Sequence, residues 1–177
     1  QRLVSPAEGR VLEIGFGSGL NVPIYTGLTL LIGLDLSAKA LSIARLAASH
    51  ATFPVEILEG SAEAIPIDSH SVDTVVAAWT LCSIPDVTLA LQEVRRVLTP
   101  SGRFLFVEHG RAPDSNVATW QQRLTPFWKR IAGGCHLNRP VASLVEQAGF
   151  RIERMHTGYM PGPRPWTFMY EGSARPS

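Results

Sequence analysis

Val11-Leu-Glu-Ile-Gly-Phe-Gly-Ser-Gly-Leu-Asn21 and, shortly after it, Leu31-Ile-Gly-Leu-Asp-Leu-Ser37 decide the fold of this chain. The apolar run from Arg10 to Ile14 has the length and β-branched start of a buried strand. Glycines at 15, 17 and 19 then let the backbone turn sharply and approach a ligand. A second apolar run ends at Asp35, where a carboxylate is placed to accept hydrogen bonds from both hydroxyls of a ribose. Strand, glycine turn, second strand and acid together describe a nucleotide pocket. The dinucleotide fingerprint G-x-G-x-x-G uses the same parts for NAD. Here the third glycine comes one residue early, so Gly15-Phe-Gly-Ser-Gly19 reads G-x-G-x-G and Leu20 takes the last fingerprint position. On these residues alone an NAD pocket, a smaller adenosyl pocket and a plain tight turn all stay open.

Outward from that stretch, strands and helices alternate. Apolar runs at 10–14, 30–34, 54–58, 72–78 and 103–108 predict strands, and the segments between them carry helix periodicity and start signals. Ser37 is placed to cap a helix over Ala38 to about Ala48, and Asp86 one running to about Leu98. In the second helix Val87, Ala90, Leu91, Val94, Val97 and Leu98 draw a single apolar stripe. Thr99-Pro-Ser-Gly102 then stops the helix and turns the chain into the next strand. Pro140 suits the first position of a later helix closed by Gly149. Pro161-Gly-Pro-Arg-Pro165 reads as a stiff loop between strands at 150–156 and 166–171. The pattern predicts a doubly wound, mostly parallel α/β sheet in one domain over 1–177.

Composition excludes several functions. The 177 residues, 45% of them hydrophobic, suffice for one substantial core but not two ordinary domains. Sixteen Lys and Arg against fifteen Asp and Glu give a net charge of +1 with no basic cluster, which argues against nucleic acid. The longest apolar stretch is interrupted at Gly33 and Asp35, so no transmembrane segment or signal peptide is expected. Cys82 and Cys135 without a C-x-x-C pair argue against a disulfide scaffold and fit a reducing, cytoplasmic setting. Oligomeric state is not readable.

Open parallel sheets bind ligands beyond the carboxyl ends of their strands. After the third strand comes Glu59-Gly-Ser-Ala-Glu-Ala-Ile-Pro66, and after the fourth Trp79-Thr-Leu-Cys-Ser-Ile-Pro-Asp86. With the G-x-G-x-G turn and Asp35, these segments resemble the class I S-adenosylmethionine-dependent methyltransferases of type 11, over roughly residues 10 to 108. The resemblance implies a Rossmann-like, seven-stranded α/β/α fold and S-adenosylmethionine as cofactor, leaving S-adenosylhomocysteine as product. It places Glu13, Gly15, Gly17, Ser18, Gly19 and Asn21 at the methionine side of the cofactor, and Asp35, Leu36 and Ser37 at the ribose. Gly60, Ser61, Ala62 and Glu63 fall at the adenine, where Ser61 replaces the Asp common in the family. Ala78, Trp79, Thr80 and Cys82 fall beside the transferable methyl.

A narrower resemblance extends to about residue 140. Val107-Glu-His-Gly110, Trp120-Gln-Gln-Arg-Leu-Thr-Pro126, Trp128 and Gly134-Cys-His-Leu-Asn-Arg139 resemble the methyltransferase-like group containing the alkyl thiol methyltransferases. It implies an acceptor lid over about 109–139, ahead of a C-terminal helix and strands over 140–171. A small-molecule acceptor, a thiol in the narrower group, would lie among Trp79, His109, Trp128, His136 and Arg139. Methylation of a quinol or phenol on carbon or oxygen is the alternative, as is a cofactor-binding module without catalysis. Glu108 and His109 end the fifth strand and are candidates for a base, while Glu108 capping a nearby backbone is the simpler role. No metal is expected, because Cys135-His136 and scattered histidines lack zinc-ligand spacing.

Overall fold

A computed structural model describes residues 3–177. Seven strands form one sheet: β1 (Arg10–Ile14), β2 (Leu30–Asp35), β3 (Val55–Glu59), β4 (Val72–Ala78), β5 (Leu98–His109), β6 (Phe150–Tyr159) and β7 (Phe168–Pro176). Their order is β3-β2-β1-β4-β5-β7-β6. All pairs from β3 to β5 are parallel, and β7 runs antiparallel between β5 and β6. Strand order reverses between β1 and β4, the switch point at which open sheets form a crevice.

Successive residues of each central strand serve opposite faces. Leu12, Ile32, Val75, Phe104 and Phe106 face one core with the stripe of α2 (Val87–Val97) and with α4 (Val141–Gln147). Val11, Leu31, Val76 and Leu105 face the other with Leu41 and Ala44 of α1 (Ala38–Ser49). Ser37 accepts from the Ala40 N–H at the start of α1, and Asp86 from the N–H groups of Thr88 and Leu89 at the start of α2. The segment over 109–139 folds mainly as α3 (Ser115–Ile131), and a short helical turn, α5 (Arg164–Thr167), precedes β7.

Several expectations shift. The β1–β2 link holds only a 3₁₀ turn, Val22–Ile24, begun by Pro23. The β3–β4 link is a series of turns rather than a helix. Arg96 of α2 donates to the carbonyls of Ile65 and Ile67, and Glu93 accepts from the Ile65 N–H, so side chains satisfy that backbone from outside. Thr99–Gly102 is taken into β5 as an irregularity opposite Val72–Thr74 rather than standing outside it. Pro140 precedes α4 as its cap residue, one position earlier than expected. Trp166 lies in α5, and β7 instead extends to Pro176, because Gly172 lets it cross the Phe106 ring where a Cβ would come within 2.6 Å.

Candidate functional site

The turn after β1 depends on its glycines. Gly15, Gly17 and Gly19 have φ of +68°, +57° and +75°. A Cβ on Gly15 would sit 2.0 Å from Thr80 Oγ1, whereas one on Gly17 would meet nothing nearer than 3.9 Å. Gly15 is therefore needed for packing, and Gly17 presents open backbone to a ligand. The Gly17 N–H donates to one carboxylate oxygen of Asp35 and the Ser37 N–H to the other, both at 2.8 Å. Asp35 thus ties the two loops together, and each oxygen keeps capacity for a further donor. Glu13 and Asn21 meet each other behind the turn. Asn21 Nδ2 and the Tyr25 hydroxyl donate to the buried Glu13 carboxyl at 2.6 and 2.8 Å. Burial outweighs these two bonds and raises Glu13 to about 7.

A cleft of about 370 Å³ opens at the switch point. Gly15, Asp35, Leu36, Gly60, Ser61, Ala62, Ala78, Trp79 and Thr80 line it, together with Ser83, Ile84, Pro85 and Gly133. Nine of the expected contacts are thereby brought together from four strand ends. Glu63 is turned away, accepting from the Asp86 N–H at 2.6 Å, and Cys82 is buried beneath the loop. Gly17, Ser18, Gly19 and Ser37 flank the cleft without lining it. A larger hollow of about 560 Å³, lined by His70, Arg95 and Ser177 among others, lies at the start of β5. It has neither the glycine turn nor the carboxyl ends of the strands, so size does not identify the site.

The loop after β4 begins at Trp79, held at φ +58°, a conformation that costs a bulky residue about 1–3 kcal/mol. Its N–H donates to the Val107 carbonyl at 2.9 Å, and its exposed ring lies 4.6 Å from that of His109. Glu108, fully buried, accepts from the N–H groups of Thr80 and Leu81 at 2.7 Å and of Cys82 at 3.3 Å. It therefore caps the post-β4 loop, and burial raises it to about 8 despite those three donors. Arg139, expected at the substrate, is instead a buried clamp that donates to the carbonyls of Leu81, Ile84 and Pro85. His136 binds the Cys82 carbonyl through its backbone N–H and its ring. Trp128 packs against Cys82, Cys135 and Leu137 and meets Trp166 edge-on.

The long-range partner that sequence reading missed is Cys135. Its thiol lies beside those of Cys82 and His109's ring, with all three ligand atoms within 4.8 Å of one another. Hydrogen bonding with Cys135, together with burial, pushes the Cys82 thiol up. Hydrogen bonding from Cys82 holds Cys135 down to about 7 against its own burial, and Trp128 assists. Adjacent Cys135 and His136 drew attention in the sequence, but the pairing that forms joins residues more than twenty positions apart.

An open 3-2-1-4-5-7-6 sheet with a glycine turn and ribose-placed acid at its switch point defines the class I, Rossmann-like S-adenosylmethionine-dependent methyltransferase fold. Comparisons with known proteins agree. The family described as a methyltransferase domain matches residues 12–106, and the chain belongs to that family. The thiol S-methyltransferase TMT1B of Rattus norvegicus is 32% identical over 163 residues, covering 90% of this chain and 66% of that protein. The demethylmenaquinone methyltransferase of Lactococcus lactis is 38% identical over 78 residues, covering 44% of this chain and 31% of the relative. The chain thus spans about two thirds of the thiol methyltransferase. An S-adenosylmethionine-dependent methyltransferase from Mesorhizobium loti superposes with a TM-score of 0.75 at 20% identity, covering 98% of this chain and 94% of the other. The [4+2]-cyclase SpnF superposes equally well, at 0.75 and 17% identity over 99% of this chain and 77% of its own, so these likenesses establish fold alone.

The residues present fit S-adenosylmethionine, the cofactor of the family. Open backbone at Gly17, spare acceptor capacity on Asp35 and the small residues Gly60 and Ala62 leave room for an adenosyl group in the cleft. No helix among the described residues is long and apolar enough to cross a membrane.

Proposed function

We propose that this chain transfers a methyl group from S-adenosylmethionine to a small thiol, giving a thioether and S-adenosylhomocysteine. The observation that carries the thiol is the extent of similarity. Alignment with the thiol S-methyltransferase leaves out only a tenth of the chain and so runs through the lid, whereas the quinone relative's covers less than half. The site's chemistry supports the same choice. Glu108, Arg139 and His136 are occupied by loop backbone, which leaves His109 as the candidate base, and a thiol needs only to ionise.

When bound, the cofactor supplies an electrophilic methyl on a sulfonium. The chain's own residues position and enclose. Gly15, with Gly17 and Gly19 flanking it, would carry the methionine side, Asp35 would hold the ribose, and Gly60 to Ala62 would border the adenine. Ala78, Trp79 and Thr80 would wall the methyl, and Ser83 to Pro85 with Gly133 would enclose the acceptor and exclude water. Glu13 and Glu108 serve indirectly, by fixing the two loops. Both cysteines carry free thiols, which supports a reducing, cytoplasmic setting.

The experiment is a release assay for S-adenosylhomocysteine across small thiols, phenols and quinols. Turnover confined to thiols is expected. The quinone relative favours a second reading, methylation of a quinol with His109 as base, and turnover of quinols alone would replace the thiol reading with it. Tight S-adenosylhomocysteine binding without turnover of any acceptor would leave a binding module.

A further inference from the structure

Three elements that share no local sequence deliver Cys82, His109 and Cys135 to one point. Cys82 lies in the loop after β4, His109 ends β5, and Cys135 follows α3. Their two sulfurs and a ring nitrogen all fall within 4.8 Å of one another. We propose that Cys82, His109 and Cys135 form a binding site for a thiophilic d¹⁰ cation, Zn²⁺, with a fourth position open to an exogenous ligand.

Ligand type and spacing support this directly. Two thiolates neutralise the dication, and an imidazole completes a Cys₂His set, the composition of a zinc site that keeps one position open. Tetrahedral zinc with bonds of about 2.3 Å to sulfur places the sulfurs roughly 3.8 Å apart, so the side chains need close by at most about 1 Å. Simple packing of the thiols against Leu137 and Trp128 accounts for the two sulfurs. A hydrogen bond between Cys82 and His109 turns the imidazole toward them, so all three donor atoms converge before any metal arrives.

The open position has a direction. Cys82 and Cys135 are buried, while His109 is only partly so and packs at a tilt against Trp79, a wall of the cleft. An incoming thiol reaches the metal from that side. It binds as its thiolate, displacing water and releasing its proton to solvent. Zinc would then hold the acceptor sulfur beside the methyl-binding cleft in ionised form at neutral pH. That use rests on the thiol reading above, but metal uptake does not.

The test uses the full chain, reduced and stripped with a chelator, in anaerobic buffer. Zn²⁺ is titrated in competition with a chromophoric chelator, and Co²⁺ binding is followed by thiolate charge-transfer absorption. One equivalent of metal is expected, with that band present in the cobalt form. Cys135→Ser and His109→Gln should each weaken zinc at least about a hundredfold, the upper end of what loss of an outer-shell partner brings. S-adenosylhomocysteine binding by each variant reports whether it has folded. Ethanethiol added to the cobalt form should shift the band, and an unchanged spectrum would overturn the open position. No uptake by reduced wild-type chain that still binds S-adenosylhomocysteine would overturn the site itself, as would undiminished uptake by folded Cys135→Ser. If no acceptor is ever methylated yet zinc binds, the thiol reading fails and the metal site stands.

Discussion

Asp35 ties two loops together at the wall of the cleft. Its two oxygens already accept the Gly17 and Ser37 N–H groups, which fixes the carboxylate at the cleft wall before any ribose arrives. Hydrogen bonds to a charged group are worth about 1.5–3 kcal/mol. Asp35→Ala should therefore weaken S-adenosylhomocysteine binding roughly 10- to 150-fold by calorimetry, and unchanged affinity would remove Asp35 from the site. Gly33 has a purely steric part at the same scale. A Cβ there would lie 2.3–2.5 Å from the Phe16 ring, which crosses β2 at that point. Gly33→Ala is expected to destabilise by about 1–3 kcal/mol in urea unfolding, the range for overpacked cores. A change below about 0.5 kcal/mol would mean that Phe16 swings aside freely.

At the scale of elements, a buried amide on α3 ties that helix to the chain after β5 and to α5. Gln121 accepts from the Ala112 N–H at 2.8 Å and donates to the carbonyls of Gly110 and Pro165 at 3.0 and 3.1 Å. Gln121→Leu strands those groups in the interior at about 1–3 kcal/mol for each left unsatisfied. Native-state hydrogen exchange should show protection lost in α3 and α5 but kept in β1 and β4, whereas uniform loss would mean that the lid is no separate unit. Elements of this kind divide by how much of their cause is local. β1 and β4 were legible to the residue because their apolar runs stop where buried sheet stops, and the caps at Ser37 and Asp86 because capping is a contact between near neighbours. β7 was legible only in part, since Glu171 to Ser173 look polar and are ordered by antiparallel pairing to β5. The loop after β3 lacks a helix because Arg96 and Glu93 satisfy it from another element. The same rule governs the site. The glycine turn, Asp35 and the residues after β4 could be read, while the clamp at Arg139, the left-handed Trp79 and the convergence of Cys82 with Cys135 depend on partners far along the chain.

For the whole molecule, burying Glu13 behind the first loop and Glu108 behind the fourth makes stability depend on pH in an unusual direction. Burial is the leading cause in both, raising them from an ordinary 4.5 to about 7 and about 8. Across that interval the folded chain holds protons that the unfolded chain has released. Stability from these groups is therefore fully present below about pH 4.5 and falls as pH rises through their folded values. Cys135, held down to about 7 by the Cys82 hydrogen bond, works in the opposite sense above that pH, so the cleanest window lies between about 4.5 and about 7. Glu93 is lowered by Arg96, and its contribution is lost only as pH falls below that window. Urea midpoints of the wild-type chain should decline across the window. Glu108→Gln, which keeps an acceptor for the Thr80 and Leu81 N–H groups, should decline less, and a Glu13→Gln, Glu108→Gln double variant should be nearly flat. A wild-type midpoint that rises across the window would mean that both carboxyls are ionised in the folded chain. The bonds from Asn21 and Tyr25, and from the backbone at 80–82, would then outweigh burial, and the two loops that shape the cleft would rest on charge instead of on neutral carboxylic acids.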